Sequence, residues 1–111
     1  MNCETREEQG VTIASLSGDV DLQSSPEVRK ILIECVDQGK SLVVDLSGVG
    51  YIDSSGVASL VESFQRSRKH GHGFVLVAVS EGALRVLKLA RLDKVFTICD
   101  TLEEGLSSLN K

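Results

Sequence analysis

The sequence predicts an α/β domain built on a mixed sheet, and three observations lead there. Short apolar runs rich in Val, Ile and Leu alternate with segments whose apolar residues recur at helical intervals. The junctions between them are brief and marked by Gly, Ser, Asp or the single Pro. One run, Phe74-Val75-Leu76-Val77-Ala78-Val79, is nearly continuously apolar, as expected of a central strand covered on both faces. About five strands and about four helices follow, in one domain over residues 1–111.

The chain opens with a hairpin. An edge strand around Asn2 to Glu7 pairs with Val11 to Leu16 across the turn-forming Glu8-Gln9-Gly10. A polar passage from Asp19 leads to Ser25-Pro26, which reads as a helix cap followed by Pro at the first helical position, where a missing amide donor matters least. Val28, Ile31, Leu32, Cys35 and Val36 give that helix its apolar face, and Gly39 ends it. Leu42 to Leu46 forms the next strand, followed by a short loop and a helix from about Ser55 to Lys69 striped with Val57, Leu60, Val61 and Phe64. After Gly71 and Gly73 comes the Phe74–Val79 strand. Ser80 caps a helix near Glu81 to Ala90, Val95 to Ile98 forms a last strand, and Thr101 caps a final helix that buries Leu102, Leu106 and Leu109.

The most informative segment is Asp45-Leu46-Ser47-Gly48-Val49-Gly50-Tyr51-Ile52-Asp53-Ser54-Ser55-Gly56-Val57, which joins a buried strand to an apolar-striped helix through small polar residues. Ser54 or Ser55 can accept a hydrogen bond from a first-turn amide, so a hydroxyl stands at the tip of the helix. A phosphate of about −1.5 to −2 charge would be tolerated there, because it meets the positive end of the helix. Asp53 can orient the loop through backbone or hydroxyl hydrogen bonds. Taken alone, the same residues also read as an ordinary cap, with Asp53 and Ser54 closing the helix and Gly56 merely leaving room.

Together with Leu16-Ser17-Gly18-Asp19-Val20-Asp21 and the later Leu87-Lys88-Leu89-Ala90-Arg91-Leu92-Asp93-Lys94-Val95-Phe96, this segment resembles the STAS-domain anti-sigma-factor antagonists over nearly the whole chain. The resemblance implies a STAS-like domain with its helices mainly on one sheet face. It places Ser55, directly before Gly56, at a phosphoacceptor position, with Ser54 as runner-up. The implied partner surface comprises Asp19, Asp21, Gln23, Asp53, Ser54, Ser55, Gly56 and Ser59, where Gly56 would allow close approach to the backbone. It further implies that the unphosphorylated domain binds an anti-sigma factor, often itself a serine protein kinase, and so releases a sigma factor. Phosphorylation breaks the complex and a serine protein phosphatase restores it. The alternative within the same resemblance is a non-enzymatic STAS subunit of an ABC transport complex.

Composition narrows the function further. Sixteen acidic against twelve basic residues give a formal charge of −4, so bulk charge attracts neither nucleic acid nor an anionic membrane. Arg66, Arg68 and Lys69 cluster where basic groups suit a helix C-terminus. Cys3, Cys35 and Cys99 are dispersed and odd in number, unlike a disulfide framework or a metal site, which favours a reducing cytoplasm. Cys35 and Cys99 read as small core residues. The amino terminus has no signal-peptide pattern, and no run approaches the roughly 18 apolar residues of a membrane span.

Enzyme readings are thin. Ser17 to Asp21 lacks the oxygen-ligand spacing of an EF-hand, and Gly48, Gly50 and Gly56 complete neither a dinucleotide fingerprint nor a P-loop. His70 and His72 lack the further ligands of a metal site. A hydrolytic Ser55–His70 or Ser55–His72 pair with Asp53 would have to span the helix between them, roughly 20 Å at 1.5 Å per residue. No catalytic residue, metal or cofactor is therefore expected.

Overall fold

The strands of the protein lie in sequence order. β1 (Asn2–Glu8), β2 (Val11–Val20), β3 (Leu42–Ile52), β4 (Phe74–Val77) and β5 (Thr97–Cys99) form one sheet in the order β1-β2-β3-β4-β5. β1 runs antiparallel to β2, and every later pair is parallel. The computed structural model describes residues 1–109; Asn110 and Lys111, the end of the expected 1–111 domain, lie outside the described residues. Helices α1 (Ser25–Asp37), α2 (Ser54–Lys69), α3 (Glu81–Leu89) and α4 (Leu102–Leu109) alternate with the strands. A short 3₁₀ turn, Leu92–Lys94, precedes β5. This is the expected mixed α/β sheet.

Side-chain alternation divides the core into two layers. Leu42, Val44, Leu46, Phe74 and Leu76 point toward α1, α2 and α3, where they meet Val28, Leu32, Val57, Leu60, Ala83 and Leu87. Val43, Val75 and Val77 point the other way, with Val11 and Ile13, and meet Leu106 of α4. Three helices thus cover one face and α4 covers the other, which is why β4 has no polar side. Phe64 joins the larger core by edge contacts to Phe74 and Phe96, with ring centroids 5.8 and 5.2 Å away; such pairs add about 0.5–1.5 kcal/mol beyond their buried area.

The hairpin turn is Gln9-Gly10, both at positive φ (55° and 77°), the type I′ geometry whose twist matches the flanking strands. Several boundaries differ from expectation for local reasons. β2 continues past the expected end at Leu16 to Val20, so Ser17–Val20 is strand. Ser24, not Ser25, stands at the cap of α1; Ser25 is the first helical residue and is buried. Asp21 shapes the approach, accepting the Gln23 and Ser24 amides on its carboxylate and the Ser25 amide on its carbonyl. β4 stops at Val77 because Ala78 turns to φ 50°. β5 starts at Thr97, leaving Val95 half-exposed while Phe96 is buried. Ser80 and Thr101 accept the Ala83 and Glu104 amides, so both cap as expected.

The largest difference is in β3. Ser47 to Tyr51, expected as a loop, is strand paired with β2, and the register slips twice, between Ser15/Ser17 and between Gly18/Asp19. Each slip gives β3 one extra residue and changes which face its side chains address. Leu46, Val49 and Ile52 therefore all reach the same core layer. At Gly48 an added Cβ would stand 2.8 Å from the Ser17 Cβ, so the first bulge requires glycine.

α4 docks through an equally tight contact, since a Cβ on Gly105 would lie 2.5 Å from Val77 Cγ1. Gly105→Ala is predicted to lose about 1–3 kcal/mol through overpacking. Gly50→Ala, where the nearest atom is 3.8 Å away, is predicted to stay within about 0.5 kcal/mol of the wild type. Urea unfolding checks both; equal midpoints for the two variants would contradict the packing described.

Candidate functional site

β2 and β3 run parallel and finish side by side, Val20 opposite Ile52. Their carboxyl ends deliver the Asp19–Ser24 segment and the Asp53–Gly56 segment to one end of the sheet, where open α/β sheets generally place their binding surfaces. The Asp53 amide donates to the Val20 carbonyl at 3.1 Å, which locks the two segments together.

Asp53 is the N-cap of α2. Its extended backbone (φ −106°, ψ −174°) lets Oδ1 accept the amides of Ser55 at 3.0 Å and Gly56 at 3.1 Å. The sequence offered Ser54 or Ser55 as the cap, or Asp53 together with Ser54; Asp53 takes the role, and both serines lie in the first turn, because its longer carboxylate side chain reaches the free amides from outside the helix. The Ser55 hydroxyl donates to the same Oδ1 at 2.5 Å. That hydroxyl, then the Gly56 amide, hold the Asp53 carboxyl below its ordinary range against the opposing effect of burial. The Ser55 and Leu22 amides act in the same direction.

The predicted site residues fall into two groups. Asp19, Gln23 and Ser54 are exposed, while Asp21, Asp53 and Ser55 are half-buried. Gly56 and Ser59 are buried. The room left by Gly56 is filled from within: an added Cβ would stand 2.7 Å from both Val20 Cγ1 and Ile52 Cγ1. The Ser59 hydroxyl donates to the Ser55 carbonyl at 3.1 Å and the Ser25 carbonyl at 3.2 Å, joining α2 to α1. It forms the floor of a shallow groove of about 270 Å³ between these helices, in which Ser55 also stands.

Two bidentate ion pairs brace the groove and its extension. Arg29 holds Glu62 at 2.6 Å, and Arg66 holds Asp37 at 2.7 and 2.9 Å. Each arginine keeps its carboxylate below the ordinary range. Arg66 is thus a bridge between helices, and Arg68 and Lys69 occupy the last turn of α2.

Two exposed apolar residues flank the site without having been singled out from sequence. Leu22 is 75% exposed and Tyr51 52% exposed. Leu22 sits in the polar loop between β2 and α1, and Tyr51 pairs with Asp19 at the end of β3. A signal existed in each case, an apolar residue standing alone in a polar segment. Tyr51 was obscured because the strand there departs from a period of two.

The opposite end of α2 carries the histidines. His70 is its C-cap, so it stands about 24 Å from Ser54 along a helix rising 1.5 Å per residue, out of reach of Ser54 and Ser55. Among the described residues no group of three or more His, Cys, Asp or Glu could hold a metal ion. Cys35 is buried in the core and Cys99 half-buried. Burial, followed by the proximity of Cys35, pushes the Cys3 thiol up to about 11. No described helix is long and apolar enough to cross a membrane.

This chain belongs to the STAS domain family, whose pattern matches residues 2–105. An anti-sigma-B factor antagonist of Bacillus subtilis is 26% identical over 106 residues, spanning 96% of this chain and 97% of the relative. An anti-sigma-F factor antagonist of Mycobacterium tuberculosis is 31% identical over 103 residues, spanning 90% of this chain and 82% of that protein. The crystal structure of an anti-sigma factor antagonist from Mycobacterium paratuberculosis superposes with a TM-score of 0.90 at 28% identity, covering 99% of this chain and 94% of the other.

Asp53→Ala is predicted to lower the melting temperature by several degrees through the lost cap. Asp53→Asn keeps an acceptor and separates capping from charge. Because the carboxyl is depressed in the folded protein, its contribution is complete above the unfolded value near 3.9 and is lost as pH falls through the folded value. The stability gap between wild type and Asp53→Asn should therefore close on acidification. A gap unchanged between neutral and strongly acid pH would contradict the cap's ionic character.

Proposed function

We propose that this chain is an anti-sigma-factor antagonist, a non-enzymatic binding module of the cytoplasm comprising residues 1–111 as one domain. The observation that carries the reading is Ser55, held by Asp53 next to the exposed Ser54 at the start of α2 and beside the end of β2. Relatives bearing that name span nearly the whole chain and offer the same overall fold.

In this reading the unmodified surface, formed by Asp19, Asp21, Gln23, Asp53, Ser54 and Ser55 above the floor made by Gly56 and Ser59, binds an anti-sigma factor and releases its sigma factor. That partner is also the serine kinase that modifies Ser55. Ser55 is favoured over Ser54 as acceptor because its hydroxyl is already oriented by Asp53, whereas among the described residues no side-chain partner fixes the Ser54 hydroxyl. Phosphate at Ser55 would place a second anion against the Asp53 carboxylate and replace a small hydroxyl by a bulky dianion at a desolvated contact. The helix end tolerates that charge; a tightly fitted partner does not. A serine phosphatase reverses the modification.

Ser55→Ala should fold, bind the anti-sigma partner and resist phosphorylation. Ser55→Asp should fold, with its charge accommodated by the helix dipole at roughly 0.3–1 kcal/mol, yet bind at least about tenfold more weakly, since an uncompensated charge would be desolvated at the contact. Calorimetry measures binding, thermal melting measures folding, and intact mass after incubation with ATP and the kinase measures modification. Phosphate retained in Ser55→Ala and mapped to Ser54 would move the acceptor by one residue. Normal binding by both variants would overturn the switch.

A further inference from the structure

The exposed cations of this chain are unevenly used. Arg6, Arg29, Lys40 and Arg66 are held in ion pairs. Arg85, Lys88, Arg91 and Lys94, spaced three residues apart along α3 and the turn after it, are exposed and make no ion pair among the described residues. Leu89, at 81% the most exposed large apolar residue described, stands among them, and Val95 follows at 50%. Leu84, Arg85, Lys88 and Leu89 line a groove of about 350 Å³, together with one acidic residue, Glu81 in the first turn of α3. Arg91 also occupies a left-handed position (φ 61°, ψ 24°) just after the helix cap. Glycine would fill that position without strain, so the backbone bears a cost to present a guanidinium there.

We propose that the second half of α3 and the following turn form a docking surface, separate from the Ser55 surface, for an acidic amphipathic segment of a protein partner. A leucine or similar side chain would enter the groove against Leu84 and Leu89, and carboxylates on either side would meet the unpaired cations. Charge complementarity names the partner's sign, and the concave apolar floor names its shape. A concave groove of this size receives a single side chain, whereas a bilayer presents a broad surface to what it binds. The absence of exposed aromatic rings from this patch removes the stacking on which single-stranded nucleic acids rely. α3 begins near the Ser55 end of the sheet, where the Ser80 hydroxyl donates to the Val49 carbonyl. Leu89 lies about 13 Å further along the helix at 1.5 Å per residue, so occupation here is independent of phosphorylation at Ser55.

The test titrates the isotope-labelled full chain with a synthetic helical peptide bearing a leucine stripe flanked by glutamates, the same peptide with glutamines, and vesicles of phosphatidylcholine with phosphatidylserine. Amide shifts should gather between Leu84 and Val95, and binding should weaken with added salt. Affinity for the glutamine peptide, and of Arg85→Glu/Lys88→Glu or Leu89→Ser for the acidic peptide, should fall at least about tenfold, with melting unchanged. Ser55→Asp should bind the acidic peptide as the wild type does. Absent or scattered shifts, equal affinity for the glutamine peptide, or loss of binding in Ser55→Asp would overturn the proposal. Vesicle binding through the same residues in preference to the peptide would also overturn it, in favour of a membrane.

Discussion

The parallel pairing of β3 with β2 beyond the reach of β4 is the constraint on which the site depends. β4 pairs with β3 only as far as Asp45 opposite Val77, whereas β2 accompanies β3 to Ile52. Past Asp45, β3 has a neighbouring strand on one edge alone, with the Ser80 hydroxyl bonding its Val49 carbonyl on the other. Its two bulges make that stretch stable by turning Leu46, Val49 and Ile52 successively into the same core layer. A regular strand would present alternate residues to that layer, and Val49 would face away from it. Asp53 is placed by this anchoring, and α2 starts where Asp53 leaves off.

From that point three elements meet at one residue. Asp53 follows β3, caps α2 while accepting the Ser55 hydroxyl, and donates its amide to the Val20 carbonyl at the end of β2. The β2–α1 loop is closed by Ser24, whose hydroxyl accepts the Asp21 amide and donates to the Asp19 carbonyl. The exposed residues of the proposed partner surface therefore stand on backbone that is hydrogen-bonded at short range, which limits the ordering cost of binding. Behind them, the buried hydroxyls of Ser59 and Ser63 are satisfied by carbonyls one turn earlier, so small polar residues allow α1 and α2 to approach without leaving unpaired groups.

Much of this was legible in the sequence. Helix periodicity located all four helices, and the apolar Phe74–Val79 run correctly demanded cover on both sides of β4, which α4 supplies. Ser47 to Tyr51 was not legible as strand, because bulges replace the period of two by intervals of three and the segment is rich in Gly and Ser. The cap was displaced by one residue at α1 and left open between Asp53 and the two serines at α2: Ser, Asp and Ser-Ser neighbours all accept amides, and only the backbone conformation chooses among them. Burial of Ser59 and Gly56 was equally hidden. Each depends on how closely α2 approaches α1 and the ends of β2 and β3, a tertiary distance that no local pattern carries.

In the proposed function, the charge at the Ser55 end of the sheet decides whether a sigma factor is free. The most direct measurement is sigma-factor release from a purified complex of sigma and anti-sigma factor, followed by size-exclusion chromatography as this chain is added in its unmodified form or fully phosphorylated at Ser55. The unmodified chain should displace the sigma factor and co-elute with the anti-sigma factor, and the phosphorylated chain should leave the complex intact. Equal displacement by both forms, or by neither, would contradict the central claim.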